Sequence, residues 1–318
     1  MEGRDNKNGC ADVITDMRFY KTILCVLAAT VLALSSCSKF DGDQAVPAYI
    51  SIDAMVIDRS SNDPQWSHKD NGFYSNLIDA AEIVLYVEGD TAETTVGVFQ
   101  LPCKVPVLKQ GDIKYVRISP VVRQNGIAAT RIYYPYYNYV TYEHVRLTPD
   151  SVTSFDTIHT TYKSSNTVKV VWEEYFNNPS SLRLDSVVRP LFHNDTVLTG
   201  NGCGVVRFQS DQATVNFWAD TTFTVTDKSA YLYLEMDYKT DCEFSVGFNN
   251  PMLAGGTSYI YSAMTLYRND HWQKIYINLG KLWTYYNHYP DIRLYFTLLN
   301  GDHQSGSLYL DNMKVVVM

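Results

Sequence analysis

Positive charge is in short supply in this 318-residue chain: 26 Lys plus Arg stand against 34 Asp plus Glu, a formal charge of −8. Nucleic-acid binding by counterion release needs a broad basic surface, so nucleic acid is not an expected partner. Long apolar runs are missing too. The strongest, Ile23 to Leu34, has twelve residues, where a spanning helix needs roughly 20. No His-Glu-x-x-His, Gly-x-Ser-x-Gly, P-loop or Gly-x-Gly-x-x-Gly occurs, which removes the motif-bearing hydrolases and nucleotide enzymes. Without a Cys-x-x-Cys there is no support for a zinc or thioredoxin-like site, and the seven histidines are scattered without ligand spacing. The chain therefore reads as a non-enzyme.

What is present is a globular balance, 46% hydrophobic and 19% charged residues, with room for two or three domains. Arg18 and Lys21 precede the apolar run and serines follow it, the layout of a secretory signal peptide. Met17 opens this leader more naturally than Met1. The sequence Leu34-Ser35-Ser36-Cys37 resembles the lipobox of bacterial lipoproteins. That resemblance implies cleavage before Cys37, acylation of its thiol, and attachment to the membrane through the lipid. Ser38 favours the outer membrane, in a leaflet left open, and the likeness as a whole is to Bacteroidota-type lipoproteins of unassigned activity. The expected organisation is a signal peptide over 1–36, a lipidated tether over 37–45, and domains over 46–165 and 166–318.

Three cysteines then remain, Cys103, Cys203 and Cys242. Cys203 and Cys242 fall in the same expected domain, and an oxidising compartment permits their pairing; buried free thiols are the alternative.

After the tether the pattern is strand-like. Tyr49–Ile57, Glu82–Glu88, Val96–Leu101, Ile113–Ser119 and His144–Leu147 are short, rich in β-branched and aromatic residues, and bounded by turn formers. Later strands include Val168–Trp172, Val215–Trp218, Tyr231–Tyr238, Trp272–Leu279, Ile292–Leu299 and Ser307–Val317. The fold class is all-β: an Ig-like β-sandwich followed by a jelly-roll β-sandwich. Gly89, Gly97, Pro102 and Gly111 carry a resemblance to PEGA-like and Ig-like modules in the first half. In the second, WQKIYINLG, DIRLYFTLLN and GSLYLDNMKVV, with Trp172 to Phe176, resemble the strands of galactose-binding-like jelly rolls, the fold of many carbohydrate-binding modules.

Function is sought in the aromatics, which include 25 tyrosines and five tryptophans. Sugar rings stack their apolar faces on aromatic planes while their hydroxyls bond to Asn, Asp and Arg. Strand alternation sets Trp272, Lys274, Tyr276 and Asn278 opposite the apolar Ile275, Ile277 and Leu279, so they are expected to face solvent or a partner. Trp283, Tyr285 and Tyr286 follow Gly280 in an expected loop. Trp272, Tyr276, Trp283, Tyr285 and Tyr286 are therefore the candidate glycan-binding residues, with Trp218 a further exposed aromatic. A second reading presents the Tyr-rich loop Arg131–Tyr139 to an outer-membrane protein partner, or packs it between the domains. No cofactor is expected beyond a structural calcium, which resemblance to similar jelly rolls would place at Glu174 and Asp311. Carboxylate pairs for glycoside hydrolysis can be drawn from the sequence, for instance Glu173 with Glu235, but spacing does not test them and loop carboxylates are the alternative.

Overall fold

The computed structural model describes residues 45–58, 77–164, 166–176, 180–184, 191–192, 202–208, 212–225, 231–250, 259–285, 291–301 and 305–318. The leader and Cys37 lie outside them. The chain is all-β, and its helices among the described residues are the single turn Ala128–Thr130 and the six-residue Gly280–Tyr285.

Residues 47–318 form one compact unit built around two hydrophobic clusters. The first half supplies a five-stranded antiparallel sheet and two three-stranded sheets. In the five-stranded sheet, Gly111–Arg123 is the long central strand, paired with Ala80–Tyr86 on one side and with Val140–Leu147 and Arg131–Tyr133 on the other. Ile83, Leu85, Ile113, Val116 and Ile118 alternate inward along these strands and pack against Ile50, Ile52 and Met55. The stretch resembling PEGA-like modules is a strand succession, Ala80–Tyr86, Thr94–Gln100, Cys103–Val107 and Gly111–Arg123. Gly89 and Gly111, both at φ +92°, take turn conformations that an L side chain rarely adopts.

The second half is a sandwich of two six-stranded sheets. One holds Gly306–Val317 at its centre, between Leu232–Thr240 on one edge and Lys169–Glu174 and Gly204–Phe208 on the other; Asn269–Asn278 then pairs outside Leu232–Thr240. The other places Asp291–Leu299 between Thr214–Ala219 and Glu243–Asn250, with Tyr259–Leu266 at its rim. Ile292, Leu294, Phe296 and Leu298 make the inward stripe that the alternation predicts, and Ile275, Ile277 and Leu279 meet them from the facing sheet.

The opposite side of Asn269–Asn278 departs from expectation. Tyr276 is buried with Tyr233 and Val316 in the cluster of the first half. The partner of this face is the chain's own first half. Between them lie Tyr134, Tyr136 and Tyr137 of the Tyr-rich loop, all buried, while Tyr133 and Tyr139 stay exposed. The loop thus packs between the halves, and most of its rings cannot be offered to an outer-membrane partner.

Cys203 and Cys242 are both buried and are not joined by a disulfide. Burial pushes them up to about 12 and about 11 respectively.

Candidate functional site

The expected aromatic strip is broken up by the fold. Asn278 caps the helix Gly280–Tyr285 by accepting from the Gly280 backbone N–H at 2.9 Å, and the helix turns Trp283 inward until 2% of it is exposed. A residue read as a loop platform is a core residue, because Leu279 and Trp283 both fall on the helix side that faces the sandwich interior. Tyr285 leaves the same helix on the outer side, 75% exposed. Tyr286 lies outside the described residues. Tyr276 is buried in the seam, and Trp272 is partly exposed at its margin. The four described side chains do not form one surface.

The calcium and hydrolysis pairs fare similarly. Glu174 accepts from the Phe176 N–H with one carboxylate oxygen and from the Ser181 N–H and hydroxyl with the other. It ties the end of its strand to the following turn and is not an open ligand. Asp311 is fully buried, stands opposite Asp237 across the sheet, and accepts from the Asn312 N–H at 2.8 Å. Two carboxylates, one with both oxygens already taken by N–H and O–H donors, do not fit an ion that takes six to eight oxygens, and no group of three or more His, Cys, Asp or Glu among the described residues could hold a metal. Glu173 and Glu235 flank Lys314 on neighbouring strands, yet Glu235 is 0% exposed. A substrate has no access to it.

The arrangement that does suit ligand recognition lies on the outer face of the sheet holding Asp291–Leu299. Phe217 and Ala219 point into the core, so Trp218 between them points out. Register sets it directly opposite Tyr295, and the two rings lie parallel within 7° at 6.0 Å between centroids. The Arg293 guanidinium sits 5.4 Å from the Trp218 ring centre, a cation–π distance. Its Nε donates to Asn249 Oδ1 at 3.0 Å, which fixes its direction. Burial lowers Arg293 below the usual guanidinium value. One step along the sheet, the Thr297 hydroxyl donates to Asn216 Oδ1 at 2.9 Å, and Arg183, opposite Trp218 in the register, pairs with Asp220 at 2.9 Å.

Gly247 is needed where the backbone of the neighbouring strand crowds this sheet. It stands opposite Tyr295 at a register shift, and a Cβ there would come within 1.8 Å of the Tyr261 carbonyl. The result is a stacked pair, Trp218 partly exposed and Tyr295 only 8% exposed, with Arg293 over the indole and buried Asn249 holding the guanidinium in place. Trp218 was legible as an exposed aromatic. Arg293, Asn249, Asn216 and Thr297 were not, because each is an ordinary outward strand position until register brings them together.

Neither a protein-family model nor a curated protein matches the chain. Among solved structures it is similar to the family 30 carbohydrate-binding module of a cellulosomal cellulase of Clostridium thermocellum, at 15% identity over 47% of this chain and 93% of that one, TM-score 0.33. It is also similar to a mutant family 29 carbohydrate-binding module, at 11% identity over 48% and 91% of the two chains, TM-score 0.30. A family 61 module in complex with β-1,4-galactotriose aligns at 10% identity over 44% of this chain and 90% of that one, TM-score 0.30.

Proposed function

We propose that the protein is a non-catalytic glycan-binding module held at the outer membrane through acylated Cys37. The observation that carries the binding reading is the parallel Trp218–Tyr295 pair with Arg293 fixed over the indole. A pyranose ring offers an apolar C–H face to the exposed part of Trp218, and its hydroxyls meet the partly exposed Arg293, Asn216 and Thr297 beside it. Nothing in the arrangement is a nucleophile or an open carboxylate pair. The anchoring part rests on the Leu34-Ser35-Ser36-Cys37 motif behind its basic and apolar segments.

The experiment is a glycan array probed with wild-type protein and with Trp218→Ala. Wild type should bind a subset of glycans, and Trp218→Ala should lose at least about tenfold in affinity, the scale of one aromatic hot spot. Affinity unchanged in Trp218→Ala for every glycan bound, or measurable glycan hydrolysis by pure protein, would refute the reading. Fatty-acid labelling in cells tests the anchor: Cys37→Ala should lose both the label and the membrane fraction.

A further inference from the structure

The strand Asn269–Asn278 pairs along one edge with Leu232–Thr240; its other edge is where the first half docks. The docking is narrow. Gln124 bridges to Tyr276, the Asn125 N–H donates to the Tyr276 carbonyl at 2.8 Å, and the Asn278 N–H donates to Asn125 Oδ1 at 3.0 Å. Asn125 and Gly126 both take positive φ, 57° and 71°, so the chain turns sharply over the strand, and Gly126 lies where a Cβ would press on Ile275 at 3.2 Å.

Beyond that contact the strand continues toward Asn269 without the first half beside it, and a cavity of about 420 Å³ opens between them. This is within the range of small-ligand sites. Asp79 and Arg123 line it from the first half, Trp272 and Gln273 from the second.

The charges inside are answered. Arg123 Nε faces Asp79 Oδ2 at 2.7 Å, and Lys274, also on the lining, faces Glu235 at 3.6 Å. His271, also on the lining, faces Asp270 at 3.3 Å, so each basic side chain of the lining stands beside a carboxylate, Lys274 sharing Glu235 with Lys314. The polar groups that remain for a ligand are uncharged. Asn269 Nδ2 donates to Gln273 Oε1 at 3.1 Å, which orients the Gln273 amide and leaves its N–H groups for an acceptor. Trp272, partly exposed and neighbouring Gln273 along the strand, also reaches the lining and supplies an aromatic surface.

We infer that this seam cavity is a second binding site, distinct from the Trp218 face, for a neutral sugar unit of an oligosaccharide. Its ligand class extends the glycan reading of that face, but the site stands on its own residues. An indole and an oriented amide on one cavity wall suit a ring with one apolar face and hydroxyls at its rim, and the carboxylates standing beside the lining cations weigh against an acidic sugar. Because one wall comes from each half, the site exists only while the halves are docked.

The test follows the indole N–H signals of Trp272 and Trp218 by NMR, each assigned by its Trp→Phe variant. The full chain is titrated with neutral β-1,4-linked gluco-, manno- and galacto-configured hexasaccharides, and with an oligogalacturonate as the acidic control. At least one neutral hexasaccharide should shift the Trp272 signal saturably, in wild type and equally in Trp218→Ala. Trp272→Ala should weaken that binding about tenfold or more, with the Trp218 signal responding as before. The inference is overturned if no neutral hexasaccharide moves the Trp272 signal, if the shift disappears in Trp218→Ala, or if the oligogalacturonate binds there as well as the neutral probes. A silent Trp218 signal beside a responsive Trp272 would instead count against the outer face alone.

Discussion

Tyr134 Oη donates to Glu235 Oε1 at 2.8 Å across a sequence separation of 101 residues, joining the Tyr-rich loop of the first half to the central sheet of the second. Tyr162 donates to the other oxygen at 2.8 Å, and Lys274 and Lys314 each stand 3.6 Å from it. Burial pushes the Glu235 carboxyl up, but the two lysines and the tyrosine hydroxyls outweigh it, and the group titrates below its usual range. Removing one partner from a buried ion network is strongly destabilising, about 3 to 5 kcal/mol. Glu235→Ala should lose stability on that scale in chemical denaturation, and Tyr134→Phe a smaller amount, about 1.5 to 3 kcal/mol for a hydrogen bond to a charged group. The acid limb has a definite sign. A lowered folded value adds stability that is present above the ordinary 4.5 and is lost as pH falls through the folded value. Urea midpoints measured against pH should therefore fall below about pH 4.5 in wild type more steeply than in Glu235→Gln; equal slopes would contradict the lowered carboxyl.

The alkaline limb belongs to the tyrosines around that carboxylate. Tyr134, Tyr137, Tyr162 and Tyr276 are held well above the ordinary phenol value of 10.0, first by burial and next by the Glu235 charge. The folded chain keeps these protons while the unfolded chain releases them above 10, so unfolding becomes easier as pH rises. The stability these tyrosines contribute should be level below about pH 10 and fall beyond it. Tyrosinate absorbance should show a late group of phenols that ionise only together with loss of the circular-dichroism signal. Smooth titration of every tyrosine in a chain that stays folded would count against the buried seam.

The seam also marks where sequence reading stops. Alternation along Trp272–Leu279 was legible, and Ile275, Ile277 and Leu279 are in the core as that pattern requires. The identity of what covers the other face was not, because a polar-aromatic stripe looks the same whether it meets water or another layer of the same chain. Lys274, Tyr276 and Lys314 are compatible with burial only because Glu235 and the Tyr-rich loop arrive from far away in sequence. Trp283 was misplaced for a local reason: Gly280 reads as a turn, whereas the Asn278 side chain caps a short helix starting there. On the outer face, single strand positions such as Thr297 and Asn249 acquire meaning only through the register that aligns them beside Trp218 and Tyr295.

The thiols make a third prediction. Thiolate is the reactive form, and burial that raises a thiol suppresses both access and ionisation. Cys203 and Cys242, at about 12 and about 11, should resist alkylation in native protein at mildly alkaline pH and react fully in denaturant, as read by mass spectrometry of the labelled peptides. A disulfide-linked peptide containing both residues would contradict the unbridged arrangement.

The last prediction separates a core tryptophan from a binding platform. Trp283 packs among Leu232, Ile277, Leu279 and Ile292 in the interior of the second sandwich, and its indole N–H is buried without a hydrogen-bond partner. Truncating a buried aromatic removes its transfer energy and leaves a cavity, costing about 3 to 5 kcal/mol for Trp→Ala. Trp283→Phe should cost less, since no hydrogen bond is lost with the N–H and part of the ring volume is kept. Tyr285→Ala, on the exposed side of the same helix, should stay within about 0.5 kcal/mol of wild type. If Trp283 acts only through packing, the fraction of Trp283→Ala that remains folded should bind glycan with wild-type affinity while its denaturation midpoint falls. A variant of unchanged stability with weakened binding would put Trp283 back at a ligand surface and contradict the packing described here.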